Sequence, residues 1–156
     1  MEQRINTYEK AGGALQALFG LEKYLAKSAI EKDLQHLIKF RVSQINGCAY
    51  CLDMHSKDLR AAGETEQRLY MLDAWRESPF YTERERAALA WAEAVTLITD
   101  GHVSDEVYEQ AKDQFSEEEL IDLTICVTTI NTWNRVSIAF RTTPGTYQPG
   151  QYATVS

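Results

Sequence analysis

The segment NGCAYCLDMH, residues 46–55, lies between two predicted helices and contains two of the three cysteines in the chain. Its opening Asn-Gly pair is typical of a turn. The residues from Cys48 to Ala62 then follow a helical pattern that ends at Gly63, because glycine readily takes the left-handed conformation found just after a helix. The two cysteines are therefore predicted at the N-terminus of a central helix.

On both sides of this segment, glycine and proline divide the chain into pieces of helix length, and the period-2 alternation typical of strands is nearly absent. The sequence predicts an all-α protein, a single compact helical domain of about six to seven helices. Apart from the helix at Cys48, the predicted helices cover approximately residues 9–27, 31–43, 65–76, 82–98, 104–115 and 117–141.

The last residues, 142–156, contain two Pro-Gly pairs and two tyrosines. This composition is typical of turns and extended chain, since proline lacks the backbone donor that a helix needs. We predict an extended C-terminal arm, with packing on a neighbouring subunit as one option.

Composition and charge limit the function classes. The length of 156 residues fits one domain spanning the whole chain, and 44% hydrophobic with 25% charged residues is typical of a globular protein. The formal net charge of -7 repels phosphate backbones and anionic lipid headgroups, so we expect neither nucleic acid nor a membrane as a partner. No apolar run approaches the ~20 residues that span a bilayer.

Cysteine usage indicates the compartment. The number of cysteines is odd, and two of them lie three residues apart, which suits a redox or metal site better than a disulfide scaffold. The first residues also lack the apolar stretch of a secretion signal. We therefore expect a cytoplasmic protein.

The spacing of Cys48, Cys51 and His55 places all three side chains on one face of a helix, since residues three or four apart are neighbours there. Helix geometry puts the two cysteine Cα atoms about 5 Å apart, within the range of a disulfide, so the pair can cycle between dithiol and disulfide. In the first turn, unpaired backbone N–H groups and the helix dipole stabilise a thiolate at Cys48.

Two other interpretations of the cysteines stay open. Both thiols can be incidental and buried as small apolar side chains. Alternatively, Cys48, Cys51 and His55 can hold a structural zinc ion, with His36 as a fourth ligand. Three ligands on one helix make tetrahedral geometry awkward, so the sequence leads us to expect neither a metal nor another cofactor.

Residues outside the cysteine motif contribute three further predictions. If the helices before and after residues 45–46 form an antiparallel pair, His36 lies opposite His55, although His36 can equally be a solvated side chain. Cys126, in an apolar stretch, is predicted to be buried and inert. A polar and aromatic cluster in the last helix, which includes Trp133 and Asn134, is predicted to serve subunit packing, with substrate contact as the alternative.

Three segments, residues 41–55, 61–65 and 80–91, resemble the alkylhydroperoxidase D-like proteins of the carboxymuconolactone decarboxylase superfamily. The resemblance covers approximately residues 30–145. It implies an all-helical protomer that assembles as a homotrimer or homohexamer and reduces peroxides. In the family pattern, Cys51 attacks the peroxide and becomes a sulfenic acid, Cys48 resolves it as a disulfide, and His55 serves a proton relay. The resemblance also implies a thiol reductant, a dihydrolipoyl group on a partner protein.

One position departs from the family pattern. The family usually has a glutamate base twelve residues before the first cysteine, and this chain has His36 there. A neutral imidazole can accept a proton, although it lacks the charge of a carboxylate. Our hypothesis is that His36 serves as the substitute base.

The sequence is also compatible with functions other than that of a thiol peroxidase. The cysteine pair can serve as a redox sensor or as a disulfide reductase that acts on a protein partner, or it can belong to a zinc-stabilised module without enzymatic activity. A lactone decarboxylase of the same superfamily is disfavoured, because that branch generally lacks the CxxC motif.

Overall fold

The computed structural model describes residues 2–152, and in this part of the chain it contains eight α-helices, one short 3-10 helix and no strand. The predicted all-α class is confirmed. The helices are α1 Thr7–Lys10, α2 Gly12–Leu25, α3 Lys32–Asn46, α4 Ala49–Ala61, α5 Glu66–Met71, α6 Glu83–Thr96, α7 Asp105–Lys112 and α8 Glu117–Phe140, with the 3-10 helix at Leu72–Ala74.

The number of helices exceeds the predicted six to seven because the first predicted helix is divided in two. Asn6 caps the single turn of α1 by accepting a hydrogen bond from the backbone of Tyr8. The backbone then leaves helical geometry at Ala11 before α2 starts at Gly12. Two glycines, Gly12 and Gly13, follow directly, and glycine weakens helix continuity, which is consistent with a break in this region.

The starts of α6 and α8 follow local capping signals. Thr82 and Ser116 each accept a hydrogen bond from the backbone three residues later, and Glu85 and Glu119 bond back to the cap residues. These reciprocal bonds satisfy backbone donors that the first turn of a helix leaves free. A complete capping box is therefore present at the start of α6 and of α8.

Helix α3 lies at the centre of the fold and packs against α4, α6 and α8. Its side chains contribute most to the core, where they meet apolar residues of α6 and α8. Fully buried members of this core include Leu37, Ile38, Val42, Leu89, Leu123 and Ile130. The position of α3 matters for function because it carries His36 and leads directly into the cysteine helix, α4.

The turn between α3 and α4 is held from both sides. Gly47 has φ 68° and ψ 34°, a left-handed conformation that glycine adopts readily, at the turn predicted for Asn46 and Gly47. The side chain of Asn46 donates hydrogen bonds to Asn131 and Asn134 of α8, and Asn134 donates to Ser43 of α3. The polar cluster of α8, predicted to serve subunit packing, thus holds this turn within the chain.

The C-terminal arm is non-helical as predicted, and its described part packs on α4 of the same chain. The backbone N–H of Gly145 donates to Asp53, Lys57 donates to the carbonyl of Tyr147, and the Tyr147 hydroxyl donates to Asp58. The arm therefore covers one side of the cysteine helix, while residues 153–156 lie outside the described part.

None of the described helices is both long enough and apolar enough to cross a membrane.

Candidate active site

Cys48 and Cys51 form a disulfide, with their Cα atoms 5.4 Å apart. Cys48 is the N-cap of α4 and has an extended backbone, one position before the helical turn in which it was predicted. Its sulfur accepts a hydrogen bond from the backbone N–H of Cys51 at 3.4 Å. A Cys48 thiolate would keep this donor, which together with the helix dipole favours the charged form.

A cavity of about 520 Å³ lies beside the disulfide, and Cys51 is one of its lining residues whereas Cys48 is not. Its walls come from α2, α3, α4, α8 and the C-terminal arm. The other side chains that line it include Phe19, Glu22, His36, Lys39, Tyr50, Met54, His55, Asp58, Trp133, Tyr147 and Tyr152. The two sulfurs therefore differ in their access to this cavity.

His55 lies one turn after Cys51 on α4 and is only 4% exposed. Neither of its ring nitrogens has a hydrogen-bond partner among the described residues. The half-buried His36 approaches it from α3, with 5.9 Å between ring centroids, and the Nδ1 of His36 is likewise unpartnered there. The predicted juxtaposition of the two histidines is confirmed, whereas the solvated alternative for His36 is wrong.

Both imidazoles are held neutral. Burial lowers the pKa of His55 well below 6.5, and the charge of Lys39 and the neighbouring His36 lower it further. Burial and Lys39 also lower the pKa of His36, while the carboxylate of Asp58 opposes the shift. At neutral pH each ring therefore has a nitrogen lone pair available for a proton or a metal.

A buried ion pair borders the histidines. Lys39 is 6% exposed, and its Nζ donates to Glu22 of α2 at 2.5 Å. Burial alone would lower the pKa of Lys39, but the Glu22 carboxylate outweighs that effect and raises it. The indole N–H of Trp133 donates to the second oxygen of Glu22 at 3.1 Å. Sequence reasoning missed this pair because its members lie on different helices with no recognisable motif between them.

Four tyrosines form an aromatic wall from distant parts of the chain. The hydroxyls of Tyr50 and Tyr152 are 2.9 Å apart, and the ring of Tyr152 stacks on Tyr8 and Tyr147. Burial raises the pKa of Tyr50 and of Tyr147, so both phenols remain protonated near neutral pH. The sequence signalled tyrosines in the arm but not their position at this site.

The same site also contains a set of possible metal ligands. One ligand atom from each of His36, His55 and Asp58 lies within 4.8 Å of the others. Asp58 follows His55 by three residues, so it shares the helix face of Cys51 and His55. This set differs from the zinc ligands considered from the sequence, whose two thiols are joined in the disulfide.

Neither the third cysteine, Cys126, nor the third histidine, His102, lines the cavity. Cys126 is a free and fully buried thiol, and burial raises its pKa to about 11, which keeps it protonated as predicted for an inert cysteine. His102 is exposed in the segment between α6 and α7.

Comparisons with known proteins agree with this architecture. The model of the carboxymuconolactone decarboxylase family matches residues 11–94. The uncharacterized protein YdfG of Bacillus subtilis is 47% identical over 139 residues, which is 89% of this chain and 95% of that protein.

Two solved structures resemble the whole fold. A protein of unknown function from Agrobacterium tumefaciens, described as a candidate antioxidant defence protein AhpD, superposes with a TM-score of 0.90 at 42% identity, covering 94% of this chain and 100% of that one. The debrominase Bmp8, solved in complex with 2,3,4-tribromopyrrole, gives a TM-score of 0.79 at 26% identity, covering 90% of this chain and 75% of its own. The chain belongs to the carboxymuconolactone decarboxylase family and is an AhpD-like member of its superfamily.

Proposed function

We propose that this protein is a thiol-dependent peroxidase that reduces organic or hydrogen peroxide through a cycle of Cys51 and Cys48 between dithiol and disulfide. The observation that carries the proposal is that the two sulfurs differ in their access to the cavity. Cys51 lines the cavity, whereas Cys48 lies behind it at the helix N-terminus. The similarity to a candidate antioxidant defence protein supports the same activity.

The proposed chemistry has two steps. The Cys51 thiolate attacks an oxygen of the peroxide, the O–O bond breaks, and the products are a Cys51 sulfenic acid and an alkoxide that takes a proton to become the alcohol. The Cys48 thiolate then attacks the Cys51 sulfur, and the displaced hydroxide takes a proton to become water. The cysteine pair supplies both electrons, and a thiol reductant restores them.

The histidines supply a route for the protons. His55 lies one helical turn from Cys51 and is neutral, so it can accept the proton of the Cys51 thiol. His36 lies beside His55, and both line the cavity. We assign to His36 the role that the family glutamate has elsewhere, which is to pass the proton between His55 and the cavity.

The burial of the disulfide limits what can reduce it. Cys48 and Cys51 are each 1% exposed, so a folded protein surface cannot reach either sulfur without movement of the chain. A slender dithiol such as a dihydrolipoyl arm on a partner protein can enter the cavity. This favours the peroxidase cycle over a redox sensor or reductase that acts directly on a protein disulfide. Assembly as a homotrimer or homohexamer and a cytoplasmic location are further parts of this proposal.

A second candidate function is reductive removal of a halogen from an aromatic ring. The aromatic wall of the cavity and the similarity to a debrominase favour it. In this reaction the two thiols supply two electrons, the carbon–halogen bond is replaced by a carbon–hydrogen bond, and the halide and the disulfide are the other products. Release of bromide from a brominated pyrrole or phenol by the reduced protein would distinguish this function from peroxide reduction.

The experiment that tests the main proposal is stopped-flow oxidation of the reduced protein by an alkyl hydroperoxide. We expect Cys51→Ser to abolish the reaction. Cys48→Ser should retain the first step and accumulate a sulfenic acid that dimedone traps. Cys126→Ala is the matched control and should react as the unmodified protein does. A rate close to that of free cysteine would refute the proposal.

A further inference from the structure

The side chains of His36, His55 and Asp58 converge at the cavity from α3 and α4. One ligand atom of each lies within 4.8 Å of the other two. Zinc lies about 2.0–2.2 Å from nitrogen and oxygen ligands, so neighbouring ligands in a tetrahedral shell are roughly 3.4 Å apart. Small side-chain rotations would therefore bring the three atoms to coordinating distance.

The buried imidazole of His55 is a second observation, independent of the ligand distances, that indicates a ligand at this site. It is 4% exposed, yet both of its nitrogens lack a partner in the described part of the chain. Buried polar atoms are nearly always hydrogen-bonded, because an unmade bond costs about 1–3 kcal/mol.

The surrounding charges permit a cation. Lys39 is the positive charge near the histidines, but its ion pair with Glu22 at 2.5 Å offsets it. Asp58 then leaves one net negative charge at the cluster. Asp58 also accepts a hydrogen bond from the Tyr147 hydroxyl at 2.8 Å, which orients the carboxylate as outer-shell partners of metal ligands do.

We propose that His36, His55 and Asp58 form a binding site for a divalent transition-metal ion of the zinc class, present in the disulfide form of the protein. Two imidazoles and one carboxylate suit zinc, cobalt or nickel better than magnesium or calcium, which prefer oxygen ligands. The cavity leaves the remaining coordination positions open to water or a small ligand. The sequence alone led us to expect no metal, because three ligands on one helix make tetrahedral geometry awkward, and Asp58 was not among the ligands considered.

The site has a consequence that rests on the proposed peroxidase function. A metal ion would occupy the same imidazole nitrogens that accept protons in the catalytic cycle. Zinc binding and peroxide reduction should therefore exclude each other, which would make the ion an inhibitor of the cycle.

The test is titration of the oxidised protein, freed of metal by chelator, with Zn²⁺ in a calorimeter and with Co²⁺ followed by visible absorption. The disulfide withholds both thiols, so binding reports the three proposed ligands. We expect one ion per chain and ligand-field bands of nitrogen- and oxygen-bound cobalt. The measurement uses neither peroxide nor reductant, so its failure is separate from a failure of the proposed function.

Variants identify the ligands. His36→Ala and Asp58→Asn should each weaken zinc binding by at least about tenfold, since even outer-shell changes have effects of that size. His102→Ala, which changes the exposed third histidine, is the matched control and should bind as the unmodified protein does. Thermal unfolding checks that each variant is folded. Absence of saturable uptake, or unchanged affinity in both site variants, would overturn the proposal, as would equal weakening by His102→Ala.

Discussion

Two groups of polar side chains, one around Arg41 of α3 and one formed by His36 of α3 and His55 of α4, have different surroundings. Arg41, 9% exposed, donates to Glu93 at 2.8 Å and also pairs with Asp73. Glu93 in turn accepts hydrogen bonds from Trp75 and Arg76. We call these five residues the arginine network.

The histidine pair consists of His36 of α3 and His55 of α4, whose rings lie side by side. Its buried nitrogens have no hydrogen-bond partner among the described residues. A buried polar group normally has its bonds satisfied by the fold, as in the arginine network. An unsatisfied pair beside a cavity is costly to folding and available for chemistry, which is why such pairs mark candidate functional sites. The contrast indicates that Arg41 serves stability and that the histidines serve function.

The pKa shifts of Glu93 and His55 differ in the same way between the arginine network and the histidine pair. Burial would raise the pKa of Glu93, but the hydrogen bonds from Trp75, Arg76 and Arg41 outweigh it and lower the value, so this carboxylate stays charged. Burial lowers the pKa of His55, and no partner among residues 2–152 compensates for it, so this imidazole stays neutral. Desolvation acts on both groups, and only the presence of partners decides which one keeps its charge.

The largest expected effect comes from breaking the arginine network. Glu93→Ala leaves Arg41 with Asp73 as its remaining carboxylate and removes the acceptor of Trp75. Breaking a buried pair costs about 3–5 kcal/mol in the free energy of unfolding. Chemical denaturation measures the loss, and Glu93→Gln, which keeps an acceptor, should lose less. We also expect an unchanged rate of Cys51 oxidation in the folded fraction. A large fall in that rate would show that the arginine network is not purely structural.

For His55→Leu we expect a large loss of reaction rate and only a small change in stability. General-base catalysis contributes roughly 100-fold or more, so the rate of Cys51 oxidation by peroxide should fall by about that factor, equivalent to about 2.7 kcal/mol. Leucine replaces unsatisfied nitrogens with apolar atoms of similar volume, so the free energy of unfolding should change by no more than about 1 kcal/mol. A variant that loses stability and keeps its rate would show that the histidine is structural.

The arginine network and the histidine pair should also affect the free energy of unfolding in different pH ranges. Because the pKa of folded His55 is lower than the unfolded value of 6.5, the unfolded chain takes up a proton that the folded chain does not as the pH falls below 6.5. Stability should therefore decrease towards acid, by about 1.4 kcal/mol per pH unit for this residue, and be unaffected by it above pH 6.5.

Glu93 acts in a lower pH range. Its lowered pKa means that its contribution is present above the unfolded value of 4.5 and is lost as the pH falls below that value. Denaturation measured at intervals from pH 7 to about pH 5 should therefore show the histidine effect alone. His55→Leu should make this part of the profile shallower, with the lowered pKa of His36 accounting for the slope that remains. Identical profiles for the two proteins would contradict the lowered pKa of His55.

The smallest effect is expected at the arm. Tyr147→Phe removes the hydroxyl that donates to Asp58 at 2.8 Å and leaves the ring in place. A typical hydrogen bond contributes about 0.5–1.5 kcal/mol, so thermal unfolding should detect a loss in that range. Hydrogen exchange of the arm backbone should increase at the same time. Unchanged exchange would show that the arm is held by contacts other than this bond.

Much of the helical framework could be predicted because its signals are local. The capping boxes at Thr82 and Ser116, the turn at Gly47 and the cysteine spacing each depend on residues within one or two helical turns. The juxtaposition of His36 and His55 followed from two helices joined by a short turn, so their positions relative to that turn were sufficient. The division of the first helix at Ala11 was missed because two adjacent glycines weaken a helix without specifying where it breaks.

By itself, the sequence determined the all-helical class, the start of α4 at the cysteines and the helix face shared by Cys51 and His55, since backbone hydrogen bonding and the 3.6-residue period act over short distances. The tertiary structure alone decided that Glu22 would meet Lys39 and that the C-terminal arm would place Tyr147 on Asp58. It also decided that both nitrogens of His55 would be buried without a partner in the described part of the chain. Charge state and reactivity depend on desolvation and on neighbours distant in the chain, and both exist only once the helices have packed.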